Sequence, residues 1–551
     1  MFTRHIANFR LSLLDGTLPA ESILGNKMCM YQFTRMFNSV RAPGEGMDEI
    51  RVFPDNELTE VVVLRGGAMY AFPVVDPATH EPLPHWHLVE QFERVRRAGS
   101  SLFEMAAEPP VAMLTAQERD EWARARGHLE TISAVNRASL DSIDRAIMVL
   151  VLDDGPVPRS TKEAAGINLV GREGKGDRWF DKPIQMVVYE DGTGGVNGEH
   201  TWADAMAVVS LFERVTRSVE TELKLTGGLP NPLPVVAASG SRGVGGTGGS
   251  SSGGAATGGG DSSDGSDERG SGGWSSAAVR PSLEQKSILD KIEAPRKLAW
   301  ELDVPAMQSV ELAATHLREN ARKVDLDAFT FRSYGKSFIK RYRLIPDFFV
   351  QMAIQLAHYR LHKCLVATYE SCHTRLFYHG RTETIRTTSC EVRDWLHAMD
   401  PVSGKGDKAR FDMLKECIAA HKAFAKDCLM GKGIDRHLLG MYILSEMGAV
   451  APKPSLFSDK AWTEGTNFKL STSNVSMRDG VVCGGFMAMK TDGYGVCYAI
   501  RPDRIFFSIT SNTDCTETKA EVMREAIAQA LGDMQKLCCT RNVAYVAQSK
   551  L

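Results

Sequence analysis

A histidine at the junction of a predicted strand and a predicted helix is the first residue in this chain whose type and position suit chemistry. His200 follows an apolar β-rich run and a glycine-rich turn, and helical periodicity begins shortly after it. Histidine can act as base and as acid near neutral pH, because its ordinary pKa lies close to 7. Asp204, four residues later, either orients the histidine segment or simply caps the helix. A lone histidine is more often structural, so this pair alone does not define a site.

Two further groups have a possible chemical role and an ordinary alternative. Lys336 and Lys340 are four residues apart and face the same way on a helix, where they could neutralise phosphates or form a solvated surface. The Ser471-Thr472-Ser473 run offers hydroxyl donors, or is a polar turn beside a strand. Spacing within each group therefore leaves both interpretations open.

The elements that must position these residues are mixed strands and helices. Residues 184–189 form an apolar run that predicts a strand, and Ala205, Val208, Leu211 and Val215 share one face of a predicted helix. Residues 348–365 predict another helix, and residues 504–509 another strand. The sequence therefore predicts an α/β fold with mixed sheets covered by helices.

Length and composition indicate two domains without a nucleic-acid partner. The chain has 551 residues, more than one hydrophobic core usually serves, and 43% of them are hydrophobic. Its 65 Lys and Arg residues against 68 Asp and Glu give a net charge of -3, which offers no general attraction for nucleic acid. The 11 cysteines show no zinc-ligand spacing, so we expect no metal site. No apolar run is long enough to predict a transmembrane segment.

A glycine- and serine-rich segment separates the two predicted domains. Residues 239–273 contain too few apolar side chains to offset the entropy of ordering, so we expect a disordered insert. We divide the chain into a first lobe, residues 1–300, which contains His200, and a second lobe, residues 301–551, which contains the Ser-Thr-Ser motif.

Several blocks, far apart in the chain, together resemble one enzyme family. They are Arg178-Trp179-Phe180-Asp181-Lys182, Glu199 to Asp204, Tyr334-Gly335-Lys336, Pro346-Asp347, Thr368-Tyr369-Glu370-Ser371, Gly380 to Arg386, Leu470 to Ser473 and Asp492 to Gly495. Their order and spacing resemble the carnitine/choline acyltransferases, with the carnitine palmitoyltransferase branch as the nearest match. The resemblance runs from about Tyr31 to about Leu537. It implies two chloramphenicol-acetyltransferase-like lobes with an active-site channel at their interface.

The activity implied is reversible transfer of an acyl group between coenzyme A and the hydroxyl of carnitine. His200 matches the family's catalytic histidine, the general base. The resemblance implies that Asp204, with Arg178, fixes the histidine segment. Ser473 is the expected hydroxyl donor to the tetrahedral oxyanion.

Five residues match the family's carnitine site. Arg436 matches the arginine that binds the carnitine carboxylate, with the hydroxyls of Tyr369 and Thr382 beside it. Ser471 is expected to help hold carnitine, and Phe486 matches an aromatic residue near the trimethylammonium group. Choline has no carboxylate, so this set favours carnitine over choline.

Coenzyme A and the acyl chain are assigned by the same resemblance. Lys336 and Lys340 are expected to meet the phosphates of coenzyme A, and Asp347 matches a residue near its adenine end. Gly484 falls where the acetyl enzyme has a bulky methionine and long-chain members have glycine, so we expect a tunnel for a medium or long acyl chain. No tightly bound cofactor is expected, since coenzyme A and carnitine are substrates.

The match also has departures, which leave alternatives open. Asn474 stands where family members usually have glutamine, and Met487 stands where they have glycine. Residues 1–26 match a region inside the catalytic unit, so we expect a membrane-anchoring segment and the first catalytic helices to be absent. A silent acyl-CoA-binding protein and a choline acetyltransferase-type enzyme are the alternatives.

The C-terminal tripeptide predicts a location. Ser549-Lys550-Leu551 is the signal that peroxisomal import receptors read at a free C-terminus. We therefore expect a peroxisomal protein, with mitochondria as the alternative.

Overall fold

The computed structural model describes residues 1–23, 25–53, 57–98, 109–227, 289–475 and 484–548, with side chains up to residue 540. The predicted insert at residues 239–273 and the C-terminal tripeptide lie outside the described residues. No helix among the described residues is long and apolar enough to cross a bilayer.

Helices and strands alternate along the chain. The helices are α1 (Phe2–Leu14), α2 (His85–Ala98), α3 (Arg119–Ile132), α4 (Ala134–Arg145), α5 (Thr161–Val170), α6 (Ala205–Thr226), α7 (Val304–Arg322), α8 (Lys336–Arg341), α9 (Pro346–His362), α10 (Cys390–Met399), α11 (Asp407–Leu429), α12 (Asp435–Glu446), α13 (Lys460–Gly465) and α14 (Ala520–Gln548). The strands are β1 (Ser22–Ile23), β2 (Asn26–Lys27), β3 (Ser39–Ala42), β4 (Glu49–Val52), β5 (Glu60–Arg65), β6 (Ala68–Pro73), β7 (Val149–Leu152), β8 (Ile184–Val188), β9 (Gly194–Gly198), β10 (Arg296–Lys297), β11 (Val324–Phe331), β12 (Ala367–His373), β13 (Thr382–Ile385), β14 (Phe468–Asn474), β15 (Tyr494–Ile500) and β16 (Ile505–Asn512).

The first lobe is built on a six-stranded mixed sheet in the order β10-β6-β5-β7-β8-β9. Strand β5 is buried on both faces, which explains its unbroken apolar run. Val61 and Val63 join the core under α1 and α6, whereas Val62 and Leu64 join the core on the opposite face. Strand β9 is at the edge of this sheet and leads directly to His200.

The second lobe is built on another six-stranded mixed sheet, in the order β11-β16-β15-β14-β12-β13. One face packs against α9 and α14, where Leu470, Val496 and Phe507 belong to the largest core cluster. The side chains that alternate with these on β14 point to the other face. With two mixed sheets covered by helices, the predicted α/β two-lobed class is confirmed.

Helix α7 packs with the first lobe, although the sequence analysis divided the chain after residue 300. Ala306, Val310 and Ala313 are buried in the same cluster as Trp122 and Trp179. The core of the first lobe therefore continues to the end of α7, and the second sheet begins directly afterwards with β11.

The Arg178 to Lys182 block is structural in this fold. The buried carboxylate of Asp181 accepts hydrogen bonds from Arg119 Nη1 (2.7 Å) and Trp122 Nε1 (2.6 Å). Lys182 is fully buried, and its Nζ donates to the carbonyl oxygens of Ile143 (3.0 Å), Asp144 (2.9 Å) and Ala146 (3.0 Å). These carbonyls end α4, where helix carbonyls lack intrahelical partners, so Lys182 closes that helix.

We expect Lys182→Met to lower the free energy of unfolding by about 3 kcal/mol, because the carbonyl oxygens of Asp144 and Ala146 would lose the Nζ donor and that of Ile143 would keep only the backbone N–H of Ala146 at 3.3 Å. Chemical denaturation followed by tryptophan fluorescence measures the change. Lys162→Met is the matched control, since Lys162 is 55% exposed and makes only a 3.8 Å ion pair with Asp327. Equal denaturation midpoints for the two variants would show that Lys182 does not have this role.

Candidate active site at the lobe interface

A cavity of about 2290 Å³ lies between the two lobes. The first lobe contributes residues of β8, β9, α5 and α6, and the second contributes residues of β12, β13, β14 and α12. Ten of the predicted site residues line this one cavity, namely His200, Asp204, Asp347, Tyr369, Thr382, Arg436, Ser471, Ser473, Gly484 and Phe486. Segments separated by hundreds of residues thus meet around a single space.

His200 is positioned by a short connection between the edge strand and a long helix. It comes two residues after β9 ends and five residues before α6 begins, as the sequence predicted, and its side chain is exposed to the cavity. Glu199 fixes this connection, since its Oε2 accepts from the backbone N–H of Thr201 (2.9 Å) and from the Thr201 hydroxyl (2.6 Å). Trp202, 2% exposed, anchors the connection in the first-lobe core.

Arg381, at the start of β13, joins the second lobe to the histidine segment. Its Nη1 donates to the carbonyl of Thr201 (2.5 Å), and its Nη2 donates to the carbonyl of His200 (2.8 Å) and to Oδ1 of Asp204 (3.1 Å). Nη2 also lies 3.5 Å from Nδ1 of His200, which is at the limit of a hydrogen bond and does not fix the ring tautomer. One planar guanidinium therefore holds both the backbone of the histidine and the nearby carboxylate.

Asp204 is held from a second side by Gln32. The Gln32 side chain accepts from the backbone N–H of Asp204 and donates to its Oδ2, both at 2.9 Å, and it also donates to the carbonyl of Gly380 (3.2 Å). Asp204 occupies the N-cap position of α6, but its side chain makes no capping hydrogen bond. Its carboxylate is therefore used between the lobes rather than as a helix cap.

Arg178 does not contact the histidine segment, which corrects the role predicted for it. It is 2% exposed, and it donates to the carbonyls of Asp177 and Ile167 at 2.8 Å while pairing with the Asp177 carboxylate at 3.3 Å. These partners belong to α5 and the loop after it. Arg381 and Gln32 make the contacts that the sequence analysis assigned to Arg178.

The predicted carboxylate-binding residues form one cluster. Arg436 Nη2 donates to the Tyr369 hydroxyl (2.8 Å) and to the Thr382 hydroxyl (3.1 Å), and its Nε donates to the Thr382 carbonyl (3.1 Å). The guanidinium carbon lies 5.6 Å from the centre of the Tyr369 ring. Nη1 makes no hydrogen bond within the part of the chain that the structure describes. The cluster thus presents an arginine with donors still available on the cavity wall.

Two buried carboxylates fix the helix that carries Arg436. Glu383, on β13, accepts from the backbone N–H of Arg436 at 3.2 Å. A side chain at Gly433 would meet Glu383, because a Cβ there would lie 2.2 Å from its Cγ. Asp435 pairs with Arg386 through two contacts of 2.5 and 3.0 Å. The start of α12 is therefore held firmly against β13.

The alternation of β14 places Ser471 and Ser473 on the cavity face. Ser471 is directly opposite Tyr369 on β12, and both serines line the cavity. Between them, Thr472 points the other way, where its hydroxyl accepts from Gln351 Nε2 (3.0 Å) and donates to the Tyr369 carbonyl (2.8 Å). The motif is therefore part of a central strand and is not a polar turn.

A buried polar pair lies behind these strands. His421 Nε2 is 2.8 Å from Oε2 of Glu370, and the two side chains are 1% and 5% exposed. Burial raises the pKa of Glu370, and the hydrogen bond with His421 opposes that shift. The pair joins α11 to β12, and Glu370 is also among the residues that line the cavity.

The residues predicted for coenzyme A lie in two places. Lys336 and Lys340 are exposed on α8, and neither lines the cavity. Asp347 lies at the start of α9, where its Oδ1 accepts from the Tyr498 hydroxyl (2.6 Å) and from Asn474 Nδ2 (2.8 Å). Asn474, the departure from the family pattern, therefore has a defined partner in Asp347. Asp347 lines the cavity and the two lysines do not, so their common role stays a prediction.

Phe486 and Gly484 belong to the apolar part of the cavity wall. Phe486 packs with Ala205, Val209, Val475 and Cys497. A Cβ on Gly484 would meet only the sulfur of Cys497 at 3.8 Å and a methyl group of Val475 at 4.0 Å. Gly484 therefore lines the cavity, which is the position that the wall of an acyl tunnel would require.

Sequence reasoning missed Arg381, Gln32 and Glu383. The block from Gly380 to Arg386 was recognised as a motif, but only Thr382 received a role in it. A charged residue on each side of Thr382 was an available signal for Arg381 and Glu383. Gln32 gave none, because its partners are 172 and 348 residues away. Among the described residues, no group of three or more His, Cys, Asp or Glu side chains is arranged to hold a metal ion.

Comparison with known proteins establishes the family. The family model for choline/carnitine O-acyltransferases matches residues 1–529. The chain therefore belongs to the choline/carnitine O-acyltransferase family, and the resemblance to that family is confirmed, whereas the palmitoyltransferase branch stays a prediction.

Similar proteins include both branches named in the family description. Choline O-acetyltransferase of Danio rerio is 29% identical over 96% of this chain and 75% of its own length. Carnitine O-acetyltransferase is 28% identical in Columba livia and in Homo sapiens, each over 97% of this chain and 75% of the relative. Among solved structures, the epimerization domain of tyrocidine synthetase B matches 65% of this chain and 73% of its own with 9% identity and a TM-score of 0.28, which is too low to support an argument.

We expect Arg381→Lys to lower kcat about 100-fold while KM for the acyl acceptor changes little. A lysine keeps the charge but cannot reach two carbonyls and a carboxylate in one plane, so the histidine segment loses its fixed position. Steady-state kinetics measure both constants.

Arg393→Lys is the matched control for Arg381→Lys, because Arg393 is exposed and pairs only with the adjacent Asp394. If Arg381→Lys behaved like this control, Arg381 would have no positioning role.

Proposed function

We propose that this protein transfers medium- or long-chain acyl groups reversibly between coenzyme A and the hydroxyl of carnitine, with His200 as general base. One observation carries the proposal: His200 and the Arg436, Tyr369 and Thr382 cluster line the same cavity from opposite lobes. Arg381 touches the His200 backbone, and its neighbour Thr382 touches Arg436. The base and the anchor for the acceptor are thus linked through consecutive residues of β13.

The proposed reaction needs no covalent intermediate with the protein. A ring nitrogen of His200 accepts the proton of the carnitine hydroxyl as its oxygen attacks the thioester carbonyl. Ser473 donates a hydrogen bond to the resulting oxyanion, a contribution of about 2 to 4 kcal/mol in such sites. The carbon–sulfur bond then breaks, and the coenzyme A thiolate takes the proton back from the imidazolium. The same groups serve the reverse direction.

Carnitine is favoured over choline by the charge of Arg436. A carboxylate on the acceptor can bind an arginine with free donors, whereas choline has no carboxylate and leaves those donors without an anionic partner. The relatives include acetyltransferases for both acceptors, so the cluster on α12, β12 and β13 is what supports carnitine here. Phe486 and Ser471 are proposed as further contacts for the acceptor.

A medium or long acyl chain is supported by the size and the walls of the cavity. The apolar wall includes Phe212, Val475 and Cys497, and Gly484 lies on the same wall, where a Cβ would meet the Cys497 sulfur at 3.8 Å and a Val475 methyl group at 4.0 Å. Each methylene buried there would contribute about 0.8 kcal/mol. Lys336 and Lys340 are proposed to bind the phosphates of coenzyme A from the surface, and Asp347 is proposed to lie near its adenine end.

The location is proposed from the C-terminal tripeptide. Ser549-Lys550-Leu551 supports import into peroxisomes, and mitochondria are the alternative site for the proposed reaction.

We expect purified protein to release thiol from octanoyl- and palmitoyl-CoA in a carnitine-dependent way, faster than from acetyl-CoA. His200→Ala removes the base, so its rate should fall at least about 1000-fold. A thiol reagent measures the release across an acyl-CoA series. Turnover that is unaffected by His200→Ala would refute the assignment, and acyl-CoA binding without any turnover would indicate a silent member of the family.

We expect Arg436→Gln to raise KM for carnitine about 30-fold, since a charge-assisted hydrogen bond contributes about 2 kcal/mol. The KM for choline as acceptor should not rise, because choline has no carboxylate that could bind Arg436. Acceptor titrations at saturating acyl-CoA measure this difference. If wild-type protein used choline better than carnitine, the acceptor assignment would be wrong.

A further inference from the structure

A second histidine, His373, lines the cavity and has no part in the reaction described above. It is the last residue of β12, and its side chain is partly buried. Nδ1 of its ring is buried and makes no hydrogen bond to any other described residue. Buried polar groups usually have a partner, so this ring stands out among the side chains around the cavity.

The alternation of β12 directs the side chain of His373 to the cavity. Tyr369, Ser371 and His373 are alternate residues of this strand, and all three line the cavity. Cys372, which lies between the last two, packs instead with Ile385 in a core cluster on the opposite face. The imidazole is therefore on the same face of the sheet as the Tyr369 side chain.

His373 is also the direct neighbour of Thr382 on β13. The two residues are opposite each other in the antiparallel pair. In the next pair, the backbone N–H of Thr374 donates to the carbonyl of Arg381 at 2.8 Å. His373 and Thr382 thus form a pair without backbone hydrogen bonds between them, the type in which side chains are closest, with Cβ atoms about 5 Å apart. Because the Thr382 hydroxyl is 3.1 Å from Nη2 of Arg436, the His373 ring adjoins the proposed carboxylate site.

His373 is uncharged near neutral pH. Burial lowers the pKa of its ring and the Arg375 guanidinium lowers it further, whereas Glu21 and Asp204 act in the opposite direction. A neutral imidazole has one N–H donor and one acceptor nitrogen. It therefore offers a hydrogen bond to a carboxylate without adding a second cation, which would repel the trimethylammonium group of carnitine.

We propose that His373 is a further binding residue of the acceptor site and donates a hydrogen bond from Nε2 to the acceptor carboxylate. A carboxylate only accepts hydrogen bonds, so it selects the tautomer that has the ring proton on Nε2. The buried Nδ1 then carries no proton. Arg436, Thr382 and His373 share the two carboxylate oxygens, which have enough lone pairs for all three. This inference rests on the proposed function, because it requires an acceptor with a carboxylate.

Isothermal titration calorimetry of the full chain with carnitine, without acyl-CoA, tests the inference. His373→Phe keeps a planar ring but has no donor, so its Kd for carnitine should be about tenfold higher than that of wild type. His373→Gln has an amide N–H at a similar reach, so its Kd should stay within about threefold of wild type. Choline has no carboxylate, so its Kd should be the same for wild type and His373→Phe.

The matched control is His437→Phe, since His437 is exposed beside Arg436 and does not line the cavity. This control should bind carnitine like wild type. The inference would be overturned by equal Kd values for His373→Phe and the control, by equal losses for carnitine and choline, or by a wild-type protein that does not bind carnitine.

Turnover of the same variants with carnitine and acyl-CoA separates this inference from the proposed function. Carnitine binding that follows the expected pattern without any turnover would support the role of His373 and refute the proposed reaction. Carnitine-dependent turnover with a KM that His373→Phe leaves unchanged would support the reaction and refute the role of His373.

Discussion

The contact between Arg381 and the His200 connection is the interaction on which the rest of the site depends. One guanidinium from β13 meets two carbonyls and a carboxylate from the first lobe. Without it, the histidine would be held only by its own lobe, while the acceptor cluster belongs to the other. Because Asp204 is also fixed by Gln32, the carboxylate is neutralised and oriented before any substrate enters. The cavity therefore has its base and its acceptor wall in a defined relation.

Strand β13 extends this order to the acceptor side. Within six residues, this strand and the residue at each of its ends supply Arg381 to the histidine, Thr382 to Arg436, Glu383 to the start of α12 and Arg386 to Asp435. On β14, side chains alternate between the two faces of the sheet, so the three residues of the Ser-Thr-Ser motif have different contacts. Ser471 and Ser473 face the cavity, whereas Thr472 is tied to α9 through Gln351. These short strands thus carry both the side chains that line the cavity and the side chains that hold them in place.

The four elements predicted from local pattern are found close to their expected positions, because periodicity reports which face of an element is buried. The strand expected at 184–189 is Ile184–Val188, and the helix expected at 348–365 is Pro346–His362. The structure places Arg436, Tyr369 and Thr382 in contact on one wall of the cavity, as the family motifs implied, and their role stays a prediction. Neither the local sequence pattern nor the family motifs could predict the hydrogen-bond partners of Arg178 or a role for Gln32. Those contacts form only where loops and lobes pack together in the folded chain. Asp347 likewise accepts a hydrogen bond from Tyr498, which is 151 residues away in the sequence.

A crystal structure of the chain with carnitine and coenzyme A would test the central claim most directly. The account predicts the carnitine carboxylate within hydrogen-bond distance of Arg436, Tyr369 and Thr382, with its hydroxyl directed at a ring nitrogen of His200. The thiol of coenzyme A should approach the same hydroxyl from the other mouth of the cavity. Carnitine bound away from Arg436, or with its hydroxyl out of reach of His200, would contradict the account.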